Sequence, residues 1–337
     1  MMDKQKIEEF WNWFETQKNE EYEALIASVN ERIKQLALGL SVELDFTQIP
    51  KVLIVTPQGM KQFFANAYEL VMYAPIIEGW NILATKPASL DASVVEVAEL
   101  KVDPNEVTFM PLNAAEYPDD LAIRLYHKAY VQEEGTQHNA VISALYLLLD
   151  RLMGEESSTF DFQYIDFDDM PHPKEQDYPL TQLPAFVAHK KSTRKTAGQK
   201  FPKEEIGLLE GKVEELPTLL VINHGLKYYE FTKEFPYLFR ISLELKNTGD
   251  NGLPTGNTDE LYALEDVFYR GIFKEEKGHF IATETYNAKR EMFYYVDSLE
   301  SIEKVLVNVP KELKTCEFSY EVNYDPFWVM VESYIYM

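Results

Sequence analysis

The sequence predicts an α+β protein of two domains, each a mixed or antiparallel sheet with helices packed on one face. Three observations lead there. The 337 residues are 46% hydrophobic and 26% charged, a globular composition, and roughly 100–200 residues per domain gives two domains. Short runs of alternating apolar and polar residues are interleaved with runs whose apolar residues recur at i, i+3, i+4 and i+7, the signatures of half-buried strands and amphipathic helices. Between the halves the chain turns proline-rich and then basic. The expected division is an acidic domain over 1–170, a connector over 171–215 and a second domain over 216–337.

Ile7, Phe10, Trp11 and Phe14, then Tyr22, Leu25, Ile26, Val29, Ile33 and Leu36, form two helical stripes that break near Lys18 and Asn19. Alternation at Val42, Leu44 and Phe46 and the run Lys51–Thr56 predict strands. A helix follows over 60–74, stopped by Pro75, and then a strand at 79–85. Further strands are expected at Val107–Met110 and Leu121–Tyr130, a helix over 139–153, and a strand over Phe160–Phe167, which alternates strictly.

In the second half, strands are expected at Leu219–Ile222 and Phe239–Leu245. A turn-rich loop then ends at Asn257, which with Glu260 has the spacing of a capping box. The helix that follows carries Leu261, Leu264, Phe268 and Ile272. Strands at Phe280–Tyr286 and Glu291–Val296, a helix starting at Asp297 or Ser298, and a strand at Glu317–Tyr324 complete the pattern. From Phe239 the order is β-α-β-β-α-β, the ferredoxin-like order, plus a short terminal helix expected to start at Pro326.

The charge narrows the function. Thirty-two Lys and Arg against fifty-six Asp and Glu give −24, which disfavours nucleic acid and anionic membranes as partners. Residues 1–170 hold −17 of it, with twelve basic and twenty-nine acidic side chains, so the acidic excess lies mainly in the first half. The basic stretch 190–203 contains no acid and is expected to contact an acidic face or to stay solvated. Cys316 is the lone cysteine, fitting a reducing compartment, and acids interrupt the N-terminal apolar residues. A cytoplasmic location is expected.

Catalytic and cofactor signatures do not emerge. The six histidines lack metal-site spacing, and no phosphate-binding glycine motif or nucleophile elbow occurs. No catalytic residue, metal or cofactor is therefore assigned. The alternative is an enzyme with scattered site residues, such as a carboxylate-dependent hydrolase around Asp166, Asp168 and Asp169 or near Arg290.

Several segments carry a family resemblance: FPYLFRISLEL at 235–245, NGLPT at 251–255, LYALEDVF at 261–268, ATETYNAKREMFYYV at 282–296 and YEVNYDPFWVMVESYIY at 320–336. The C-terminal half resembles the bacterial family called domain of unknown function 695. The ending is more distantly similar to the B-type regulators of ribonuclease E activity, acidic ferredoxin-like proteins that inhibit by binding. That similarity implies a protein-binding mode. Within these motifs the candidate binding residues are Arg290, a cation suited to a carboxylate or other anion, Tyr295, Asp325 and Trp328. The expected function is interaction or regulation through an acidic or aromatic surface, with a protein partner and with homo-oligomerisation left open.

Overall fold

The computed structural model describes residues 2–37, 39–89, 93–112, 118–172, 176–256 and 258–337. They form two compact units, Met1–Arg194 and Lys195–Met337. Both mix helices with sheets.

In the first unit, helix α1 (Lys4–Gln17) is capped by Asp3, whose carboxylate accepts from the Gln5 N–H. Helix α2 (Tyr22–Leu36) follows after the predicted break. Their stripes are fully buried: Ile7, Phe10, Trp11 and Phe14 pack with Leu25, Val29 and Ile33 into one core. That core also takes in a three-stranded sheet of β1 (Ser41–Asp45), β2 (Lys51–Thr56) and β3 (Trp80–Ala84). β1 pairs antiparallel with β2, and β2 pairs parallel with β3 across helix α3 (Phe64–Met72).

A second core gathers around the hairpin of β4 (Val95–Val97) and β5 (Leu100–Val102), the strands β6 (Thr108–Pro111) and β7 (Ala122–Tyr126), and helix α4 (Thr136–Met153). Helix α5 (Glu155–Phe160), strands β8 (Tyr164–Asp168) and β9 (Tyr178–Pro179), and helix α6 (Leu183–Ser192) complete the unit. Its four-stranded sheet runs β8-β7-β6-β9, with β7 and β8 parallel.

The strand expected over Phe160–Phe167 begins only at Tyr164, because a helical turn intervenes. Gly154, at φ +80°, ends α4 and lets the chain restart as α5; a Cβ there would lie 2.9 Å from the Ala88 nitrogen. The Glu155 carboxylate is wholly buried and accepts from the Thr56 hydroxyl (2.5 Å) and the N–H groups of Gly59 (3.0 Å) and Lys86 (3.1 Å). Three donors offset the cost of burying it and fix α5 against the β2 and β3 ends.

The stretch read as a connector carries β9, α6 and β10 (Ile206–Val213). Three of its basic residues meet acids within their own units. Lys191 lies 2.7 Å from Asp161, Lys200 lies 2.6 Å from Glu234, and Lys195 pairs with Glu205.

The second unit is one six-stranded antiparallel sheet, ordered β10-β11-β13-β14-β12-β15. Its strands are β10, β11 (Leu216–Asn223), β12 (Tyr237–Leu245), β13 (Gly278–Tyr286), β14 (Lys289–Val296) and β15 (Cys316–Tyr324). Helices α7 (Asp259–Phe268) and α8 (Leu299–Leu306) cover one face. There Leu264, Phe268, Ile302 and Val305 meet Phe239, Met292 and Tyr294. The short terminal helix α9 (Glu332–Ile335) covers the opposite face, where Val331 and Ile335 meet Ile222, Phe293 and Tyr295. Alternation along β14 thus feeds two cores.

Asn257 of the expected capping box lies outside the described residues. Glu260 turns instead to the start of β15, accepting from the N–H groups of Lys314 (3.0 Å) and Thr315 (2.7 Å). The hydrogen bond from the Thr315 hydroxyl, with those two N–H groups, holds this carboxyl below its usual range. Gly252, at φ +73°, seats the NGLPT loop on the β13–β14 turn, accepting from the Ala288 N–H; a Cβ would lie 2.8 Å from the Asn287 Cα. Ser298 caps α8 by accepting from the Ser301 N–H (3.3 Å). Ser298→Ala is expected to lower stability by about 1 kcal/mol, read as a shift in the urea midpoint at constant slope.

Candidate interaction surface

Three of the four candidate binding residues sit in one buried polar and aromatic cluster. Tyr295 donates to the Asp325 carboxylate at 2.5 Å, and Trp328 stacks on the Tyr295 ring at 4.4 Å with an 11° interplanar angle. The Trp328 indole donates to the Phe235 carbonyl at 2.9 Å. Asp325 also accepts from the N–H groups of Val329 (3.1 Å) and Met330 (2.8 Å). The terminal helical turn therefore starts at Val329, not at Pro326, because Trp328 takes a left-handed conformation at φ +58°. Exposure of all three side chains is 3% or less.

His279 extends this cluster. The Tyr229 hydroxyl donates to the Lys200 carbonyl (2.8 Å), so its 2.9 Å contact with His279 Nε2 is one in which the ring donates. Phe201 and Phe235 enclose the imidazole. Burial, with a small contribution from the Lys200 charge, pushes its pKa down to about 3. A neutral, hydrogen-bonded ring among aromatics holds the sheet face together.

Arg290 points to the other face. Its guanidinium pairs with Glu265 of α7 (Nε to Oε1, 2.6 Å) and donates to the Thr285 hydroxyl at 3.0 Å. The cation expected to recognise an anion is thus already held by a carboxylate of the chain. Asp166 and Asp168 are likewise organised by Arg124, which reaches them at 2.7 and 3.9 Å. Among the described residues no three His, Cys, Asp or Glu side chains are grouped so as to hold a metal ion. Cys316 is buried, and burial raises its thiol pKa, which favours the unreactive thiol.

A π-helical turn, Tyr269–Lys274, continues α7 and borders an open groove of 540 Å³ facing α8. Such turns recur at functional sites. Here each lysine or arginine of the groove has an acidic partner: Arg270 with Asp266 (2.8 Å), Lys277 with Asp297 (3.9 Å) and Lys304 with Glu300 (2.7 Å).

The most unusual surface is the free edge of the six-stranded sheet. β10 is exposed almost throughout, with Leu208 at 62% and Ile206 at 54% exposure, and Leu209 and Val213 also exposed. Both strand faces therefore present apolar side chains to water. Residues 205, 207, 209, 211 and 213 aim their backbone groups at β11, as the bond from the His224 N–H to the Glu205 carbonyl fixes the alternation. The N–H and C=O groups of Ile206, Leu208, Glu210 and Lys212 consequently point away from the sheet. The opposite edge, β15, exposes Glu317, Ser319 and Glu321, and of its apolar side chains only Tyr320 is exposed.

This surface lies at the start of a family match. Residues 208–336 match a family of unknown function (DUF695). The DUF695 match runs from within β10 to the end of α9, so it takes in the edge, both cores of the sheet and all four candidate binding residues. It supports the resemblance drawn from the motifs of the second half. No curated protein and no solved structure matches the chain. Among the described residues no helix is long and apolar enough to cross a membrane.

Proposed function

We propose that this is a cytoplasmic bacterial protein of non-enzymatic type, an interaction or regulatory protein that binds a protein partner through the β10 edge. The observation that carries this reading is the exposed strand Ile206–Val213, apolar on both faces, whose outward backbone groups pair with no other described strand. An extended segment of a partner adds to such an edge through main-chain hydrogen bonds, and exposed side chains select it. The first unit, with sixteen basic and thirty-one acidic residues over 1–194, carries −15, which disfavours nucleic acid as the partner.

Tyr295, Asp325, Trp328 and Arg290 serve this function by position. The first three clamp the terminal segment to the sheet, and Arg290 ties α7 to β14. The strand order β15-β12-β14-β13, antiparallel throughout with α7 and α8 on one face, supports a ferredoxin-like reading of these elements. That architecture, with the similarity of the ending to the B-type regulators of ribonuclease E activity, favours inhibition by binding over catalysis. The lone buried Cys316 favours the cytoplasm.

Leu208→Pro is the test. It removes an outward N–H without breaking the ladder to β11, a strand setting that proline tolerates. Affinity capture from the native cell at low salt is expected to recover a stoichiometric partner with the wild-type chain and to lose it with Leu208→Pro. Recovery of the same partner by both, or of none by the wild type, contradicts the reading.

A further inference from the structure

We infer that the occupant of the β10 edge is the β10 edge of a second copy, paired antiparallel about Gly211; this rests on the reading of that edge as a protein-binding surface. The sequence of the strand selects the register. Only residues with outward backbone groups can form the hydrogen-bonded pairs, so Glu210 and Lys212 must face even-numbered positions of the second copy. Centring the two-fold on Glu210 sets Glu210 against itself, and centring it on Lys212 sets Lys212 against itself. Like charges directly opposite destabilise a pair of strands. Centring on Leu208 sets Glu210 against Ile206, and centring on Leu209 sets it against Leu208, so neither forms a charge pair. Centring on Gly211 sets Glu210 of each copy opposite Lys212 of the other, which forms two complementary charge pairs.

The same register brings Leu209 of each copy opposite Val213 of the other. Those pairs fall at non-hydrogen-bonded positions, where side chains approach most closely. Leu209 and Val213 are exposed in the single chain, so the pairing covers apolar surface that is otherwise in water. Gly211 at the axis presents no side chain to its counterpart. Lys212 is available for the exchange, since its intrachain contact with Glu215 is a 4.0 Å pair between highly exposed side chains and contributes little. A self-complementary patch of this kind is what a two-fold dimer requires.

Sedimentation of the full chain decides it. The wild type is expected to sediment as a dimer of two 39.2 kDa chains. Glu210→Lys and Lys212→Glu should each weaken dimerisation by about tenfold or more, because each turns both attractive pairs repulsive. The double variant should recover it, as should an equimolar mixture of the two single variants, in which every cross-strand pair is again opposite in sign. All these side chains are exposed, so unchanged circular dichroism is expected. A monomeric wild type, or a dimer indifferent to either single substitution, overturns the proposal. A monomeric wild type whose Leu208-dependent partner is a different protein overturns self-pairing alone and leaves the edge reading intact.

Discussion

Trp328→Ala is expected to destabilise the second unit by about 3–5 kcal/mol, the usual cost of truncating a fully buried tryptophan. The substitution removes the ring that stacks on Tyr295 and packs near His279. It also leaves the Phe235 carbonyl without its indole donor, an unsatisfied group whose burial has its own cost. The left-handed backbone at 328 adds a constraint, since a non-glycine residue adopts φ +58° only where its surroundings hold it there. Here Asp325 provides that hold by accepting from the N–H groups of the next two residues, Val329 and Met330. Trp328→Phe keeps most of the apolar area and is expected to lose less. Urea unfolding monitored by circular dichroism checks the ordering; a Trp328→Ala loss under 1 kcal/mol would show that the terminal segment does not close this core.

Acid is expected to weaken the fold through His279. Above pH 6.5 the ring is neutral in both folded and unfolded chains and contributes no pH dependence. As pH falls from 6.5 toward the folded value of about 3, only the unfolded chain takes the proton. Stability then declines by about 1.4 kcal/mol per pH unit, or about 2–3 kcal/mol by pH 4.5. Other groups also titrate in this range, so the comparison is with His279→Gln, which can donate toward Tyr229 without titrating. The wild type should lose about 2–3 kcal/mol more than His279→Gln between pH 7 and pH 4.5. Parallel losses in the two proteins would mean that the imidazole is not held neutral by burial.

What the sequence made legible follows from how local each signal is. The stripes of α1 and α2 and the alternation of β12 and β14 are properties of single segments, and each emerged where periodicity placed it. Parallel pairing of β2 with β3 and of β7 with β8 depends on partners distant in sequence, so it was out of reach. The Glu155 network joins side chains and backbone up to 99 residues apart and left no local trace. Among the candidate site residues, the motif runs pointed to Tyr295, Asp325 and Trp328, which do converge. Their convergence is inward, because a Tyr–Asp–Trp set looks the same in sequence whether it binds a partner or closes a core.

β10 escaped detection for a different reason. Its hairpin turns through Glu214 and Glu215 at φ +48° and +68°, a two-residue loop with positive φ at both positions. Such turns normally announce themselves through Asn-Gly or Asp-Gly, and two glutamates give no such cue. The strand also contains Gly207 and Gly211, which weaken the alternating pattern. Its exposure on both faces removes the periodic burial by which a strand is recognised.

Site-specific photo-crosslinking in the intact native cell distinguishes the two edges of the sheet. A photoreactive residue at position 208 on β10 is compared with one at position 320, where Tyr320 is also exposed on β15 at the opposite edge. A discrete protein adduct is expected from position 208 and none from position 320. No adduct from 208, or the same adducts from both positions, would contradict the assignment of the β10 edge as the surface through which this protein acts.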